Sequence, residues 1–208
     1  MHIVCSDLEG IFVPEIWINV AEKTGIKELR LTTRDISDYD VLMKKRLVIL
    51  NKNRLKIDDI KAVIATMDPL DGALEFLDWL RSRIPVIVVS DTFEQFARPL
   101  IQKLGWPALF CHTLLINPDG SISGYKLRQK DSKREAVISL KRLNYNTIAV
   151  GDSYNDITML KQADTGILFD PPENVKNEFY KFPVTYSYDD LKDIIQQILS
   201  DESGPKPS

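Results

Sequence analysis

The stretch that decides the fold is Asn146-Thr147-Ile148-Ala149-Val150-Gly151-Asp152-Ser153-Tyr154-Asn155-Asp156. A short, mostly apolar run ends abruptly in a glycine and two acids four residues apart. Runs of this kind mark strands buried on both faces of a parallel sheet. The pattern recurs in both directions along the chain. Residues 3–6 run into Asp7-Leu8-Glu9-Gly10, residues 85–89 run into Ser90-Asp91-Thr92, and residues 166–169 form a fourth run. Between them lie segments of helical period: Leu74, Phe76, Leu77 and Leu80 share one face, and Phe96, Leu100, Ile101 and Leu104 another. Thr92 with Gln95, and Ser132 with Glu135, carry the spacing of a capping box. Strand-then-helix alternation predicts an α/β domain with a doubly wound parallel sheet. Asn117-Pro118-Asp119-Gly120 predicts the turn of a small β-hairpin.

Residues 14–70 break the alternation. They hold helical segments at 15–23, 38–50 and 58–67 but no strand, more than one crossover needs, and so read as an inserted α-helical cap. The expected organisation is a core of 1–13 and 71–200, a cap of 14–70 and a frayed tail of 201–208. With 208 residues, 44% of them hydrophobic, the chain can bury a sizeable core. A net charge of −3 gives no nucleic-acid footprint, and no run is long enough to span a membrane. Without a basic, signal-like start, the chain is expected to be cytoplasmic. Cys5 and Cys111 sit in apolar runs and read as buried free thiols.

Ligands of an open parallel sheet gather outside the carboxyl ends of its strands. Asp7, Glu9, Asp152 and Asp156 would meet there, and acids so close stay ionised together around a hard divalent cation, for which Mg²⁺ is suited. Ser90 and Lys133, the latter in the first turn of its helix, add a hydroxyl and a positive charge, which turns a metal site into a phosphate site. A carboxylate can itself attack phosphorus and form an aspartyl-phosphate. Singly, each acid could be a turn former or a helix cap; the ordered set carries the inference.

That set resembles the haloacid dehalogenase superfamily of phosphohydrolases. Its first motif resembles Asp7-Leu8-Glu9-Gly10-Ile11, its second Val86-Ile87-Val88-Val89-Ser90, its third Lys133, and its fourth Gly151-Asp152-Ser153-Tyr154-Asn155-Asp156. The resemblance implies a Rossmann-like core, Asp7 as nucleophile, and Glu9 as general acid and then base, its backbone carbonyl serving the metal. It departs at Glu9, where the family normally has aspartate. The extra methylene moves the proton donor by about an ångström, enough to cost on the order of 100-fold in rate unless the cavity has moved to suit. A narrower resemblance, over residues 7–17 and Thr32-Thr33-Arg34-Asp35-Ile36, is to a bacterial branch that carries this glutamate. Its members are phosphoserine phosphatases that also transfer the phosphoryl group to homoserine.

Phosphoserine needs a carboxylate clamp and an ammonium acceptor. Arg46 fits the first, because it shares a helix face with residues 39, 42, 43, 49 and 50, all apolar or aromatic, and an inward guanidinium seeks an anion. A cap carboxylate would also satisfy it. Glu15 matches the ammonium acceptor of phosphoserine phosphatases, although beside Pro14 at a first helical position an acid also suits the helix dipole. By the same resemblance Asp91 and Asn155 join the phosphate site. Lys130 rivals Lys133 as the phosphate lysine. His112, Trp17, Trp79 and Trp106 read as structural. The expected partners are small molecules, with the chain a monomer or homodimer. A phosphatase for a sugar phosphate or nucleotide, and a receiver-type signalling module, are the competing readings.

Overall fold

The computed structural model describes residues 1–201 apart from Arg34 and Ser37, with the Asp201 side chain also left aside. The chain runs through β1 (His2–Ser6), α1 (Ile16–Thr24), a 3₁₀ turn (Lys27–Arg30), α2 (Tyr39–Lys52), α3 (Ile57–Ala65), α4 (Ala73–Arg81) and β2 (Val86–Phe93). Then come α5 (Glu94–Lys103), β3 (Ala108–Ile116), β4 (Ile122–Lys126), α6 (Ser132–Arg142), β5 (Asn146–Gly151) and α7 (Ile157–Gln162). It closes with β6 (Thr165–Phe169), α8 (Glu173–Glu178), β7 (Val184–Thr185) and α9 (Tyr188–Asp201). The sheet order is β4-β3-β2-β1-β5-β6-β7, parallel except for the β3–β4 hairpin.

The expected α/β class holds, and the strand runs show why. Neighbouring residues of each central strand enter different hydrophobic clusters on the two faces of the sheet. Val4, Ile148 and Ile167 join the cluster built with α1, α3, α4, α5 and α9, whereas Cys5, Ala149 and Leu168 join the one built with α6 and α7. Helices α1 and α3 share the first cluster with α5, through Val20, Ile60 and Ile64 against Phe96 and Leu100. The hairpin turn forms as its residues dictate: Gly120 has φ +85°, and its carbonyl accepts the Ile57 N–H at 2.9 Å, docking the start of α3. Both cysteines are buried and free.

Several expectations are corrected. Thr92 caps no helix: β2 continues to Phe93, and α5 starts at Glu94. Gln95 instead holds the edge of β3, donating to the Leu114 carbonyl at 3.2 Å and accepting the Leu114 N–H at 3.0 Å. Ser132 is the first residue of α6, and the preceding Asp131, at φ +50°, stands at the cap. Helix α1 starts at Ile16 with Glu15 as its N-cap, so Pro14 lies before the helix rather than in it. Leu74 is 37% exposed because Ala73, Phe76, Leu77 and Leu80 form the buried face of α4. Trp106 is 57% exposed, after a turn through Gly105, and is not core. Of the expected tail at 201–208, Asp201 instead closes α9, and 202–208 lie outside the described residues.

Candidate active site

The carboxyl ends of β1, β2 and β5 and the first turn of α6 converge. Asp7 follows β1, tied to β5 by its N–H to the Val150 carbonyl at 2.9 Å. The loop then turns back through Gly10, whose N–H meets the Val13 carbonyl at 2.9 Å, and buries Leu8, Ile11, Phe12 and Val13. Gly10 has φ +79°, and a β-carbon there would lie 2.6 Å from Asp152 Oδ2. At Gly151 a β-carbon would stand 2.4 Å from that of Asp156. Both glycines are needed so that two backbone segments can close around the acids.

Asp7, Asp152 and Asp156 each place a carboxylate oxygen within 4.8 Å of the other two, and all three are buried. Lys133, 2% exposed, reaches Asp7 Oδ1 at 2.9 Å, Asp156 Oδ1 at 2.8 Å and Asp91 Oδ2 at 3.7 Å. Asp156 spends its second oxygen on the N–H groups of Asp152 and Ser153, at 3.0 and 3.1 Å. On Asp7, Oδ1 takes both Lys133 and the Leu8 N–H at 2.8 Å, so neither contact engages Oδ2.

Burial favours the neutral amine of Lys133, but Asp156, Asp7 and Asp91 outweigh it and hold its pKa above the ordinary lysine value. Burial, with repulsion from Asp156 and Asp152, raises the Asp7 pKa well above the carboxylate range despite Lys133. One lysine thus does not balance three buried acids. Hard oxygen donors and a deficit of positive charge fit a divalent cation, which Asp7, Asp152 and Asp156 could hold. The Glu9 side chain stands outside this cluster. Its Oε2 accepts the Ile16 N–H at 2.8 Å, at the start of α1. Enclosure, then the like charge of Glu15, pushes its carboxyl up to about 8, leaving a proton to give at neutral pH.

One cavity is lined by Glu15, Trp17, Arg46, Ser90 and Asn155, together with Asp7, Glu9, Asp152 and Lys133. Arg46 is 6% exposed, its guanidinium 4.5 Å from the Trp17 ring centre. Burial lowers its pKa to about 10, which leaves it charged at neutral pH. Its Nη2 donates to the Leu31 carbonyl at 2.7 Å, and Nη1 lies 3.6 Å from the Met43 sulfur.

The haloacid dehalogenase-like hydrolase family matches residues 6–164, which span every element of this site. The chain belongs to the haloacid dehalogenase-like hydrolases. It is 59% identical over 192 residues to phosphoserine phosphatase ThrH of Pseudomonas aeruginosa, covering 92% of this chain and 94% of that one. It is 57% identical over 192 residues to a phosphoserine phosphatase of Pseudomonas syringae pv. tomato, covering 92% and 81%. Its fold is similar to a crystal structure of phosphoserine phosphatase in apo form, with a TM-score of 0.75 at 25% identity, over 94% of this chain and 98% of that one.

Within this haloacid dehalogenase-like frame the sequence-derived residues gather at one sheet edge. Lys133, not Lys130, reaches the acids; Lys130 is exposed. Asp91 lines the cavity too, and its Oδ2 accepts from Asn155 Nδ2 at 3.1 Å. Burial works against its charge, but Lys133, His112 and Asn155 hold its carboxyl well below the usual range. His112 reads from the sequence as merely buried. It is 3% exposed, yet its Nε2 lies 3.6 Å from Asp91 Oδ1 while Nδ1 accepts the Arg128 N–H at 3.2 Å. Trp17 and Tyr39 were also missed as wall residues, and only the inward face shared with Arg46 could have flagged Tyr39. Arg34 lies outside the described residues. Among the described residues, no helix is long and apolar enough to cross a membrane.

Proposed function

We propose that the chain is a Mg²⁺-dependent phosphoserine phosphatase that works through an aspartyl-phosphate on Asp7 and can pass the phosphoryl group to homoserine as well as to water. One observation carries the substrate assignment: a buried, charged arginine and a glutamate share one cavity with Asp7, Asp152 and Lys133. Such a cavity has a place for a carboxylate, an ammonium and a phosphate. The names of the two Pseudomonas relatives support the same reading.

In this reading Asp7 Oδ2 attacks phosphorus in line while Lys133 and the Leu8 N–H keep Oδ1 fixed. Glu9 protonates the leaving serine oxygen, then takes a proton from the incoming water or homoserine hydroxyl. Ser90, Lys133 and Asn155 hold the phosphate, with Asp91 orienting Asn155. Arg46 takes the α-carboxylate and Glu15 the ammonium. The bound Mg²⁺, held by Asp7, Asp152, Asp156 and the Glu9 carbonyl, would neutralise charge on the acids and the phosphate. Residues 14–70 act as the cap over a core of 1–13 and 71–200, with no nucleic-acid partner. We place the chain in the cytoplasm as a monomer or homodimer.

Purified protein with Mg²⁺ and phosphoserine should release inorganic phosphate, and with added homoserine should also form phosphohomoserine. Asp7→Asn should abolish both products. Unchanged phosphate release by that variant would overturn the mechanism, and activity confined to sugar phosphates or nucleotides would overturn the substrate.

A further inference from the structure

Thr92 looks like a helix cap in sequence, and in the structure it caps nothing. It is 4% exposed, at the end of β2, and its N–H donates to Ser90 Oγ at 3.2 Å. Thr92 is among the residues that line the cavity holding Arg46, Glu15 and Asp7. The hydroxyl itself is buried and has no hydrogen-bond partner among the described residues. Among the described residues Arg46 Nε is the other buried side-chain atom of which this is true, and Arg46 lines the same cavity. Buried polar groups are nearly always paired, so two orphans on residues lining one cavity point to a polar group supplied from outside the chain.

Arg46 comes to the cavity with part of its fork already committed, Nη2 to the Leu31 carbonyl and Nη1 against the Met43 sulfur. Nε has no partner, and each Nη keeps a second N–H. A carboxylate offers two oxygens with about four lone-pair sites, more than a two-pronged guanidinium contact fills. We propose that Thr92 is a substrate-binding residue, its Oγ1–H donating to the α-carboxylate that Arg46 clamps. This deepens the assignment of phosphoserine as substrate and rests on it. It makes position 92 a determinant of selectivity for phosphorylated amino acids over phosphorylated amines, because a site built with a polar group discriminates strongly against a ligand lacking its partner.

The test compares phosphoserine with O-phosphoethanolamine, which keeps the phosphate and ammonium but lacks the carboxylate. Thr92→Val keeps the β-branched shape that suits a strand and removes only the hydroxyl. It should raise the KM for phosphoserine about tenfold or more with kcat changed by less than about threefold, as loss of a hydrogen bond to a charged group predicts. The same variant should raise the KM for O-phosphoethanolamine several times less. Thr92→Ser should restore most of the phosphoserine KM. An equal rise for both substrates would overturn the proposal and assign the hydroxyl to the ammonium, the phosphate or the cavity shape. No rise for either would overturn it as well. A wild-type chain idle on phosphoserine fails the proposed function itself, which separates that failure from this one.

Discussion

Glu9 differs from the clustered acids in both its contacts and its charge. Its carboxyl, bonded to the Ile16 N–H and pushed up to about 8, is the proton donor of the proposed reaction. Glu9→Gln is expected to cut phosphoserine turnover by about 100-fold or more, the usual worth of general acid catalysis. In single-turnover formation of the aspartyl-phosphate the loss should be much smaller with p-nitrophenyl phosphate, whose leaving group needs no proton; equal losses in that step would deny Glu9 the role of acid. Lys133 makes the complementary case. Removing its charge in Lys133→Met leaves buried acids facing one another, and urea melts without metal should show a loss of about 3–5 kcal/mol. The acids, Ser90 and Lys133 were legible because the chemistry needs those residue types where strands end. Thr92 and His112 were not. A threonine three residues before a glutamine reads the same whether the strand stops or continues, and a lone histidine in an apolar run carries no sign of the aspartate it meets in space.

At the scale of elements, the central strands were readable because both faces of an interior parallel strand must be apolar. Strand β7 has two residues and leaves no such signature. Position 74 misled because apolar spacing alone does not say which side of α4 meets the sheet. The junction between α2 and the sheet edge was not legible at all, since it joins residues far apart in the chain. There the Tyr39 hydroxyl donates to the Asp91 carbonyl at 2.6 Å, its ring meets His112 and Tyr125 edge-on, and the Tyr125 hydroxyl is bonded to Asp40. Tyr39→Phe removes the first of these bonds and keeps the ring. It should lower stability by about 1 kcal/mol in urea melts and raise the phosphoserine KM several-fold, because the bond ties the Arg46 helix to the strand that carries Ser90. A variant with unaltered stability and KM would show that the junction does not hold that helix in place.

Across the whole molecule, the inserted helices do not sit on a separate core. Ile60 and Ile64 of α3 belong to the same cluster as Phe96 and Leu100 of α5 and Val4 of β1. Tryptophan fluorescence and far-UV circular dichroism should therefore give coincident urea transitions. Ile60→Ala should shift both together by about 2–5 kcal/mol, and separated transitions would mean that the helices unfold on their own. The class of the fold was legible from four strand runs, whereas this shared cluster was not, because helical periodicity says that a face is buried without saying against what. The junction of Gly10 and Asp152 sets a different limit. Glycine is the smallest residue and aspartate the shortest side chain bearing a carboxylate, so neither member can shrink to admit growth in the other. Compensating substitution within the pair, the ordinary route by which packed neighbours drift apart in evolution, is closed at this point for as long as position 152 must carry a carboxylate.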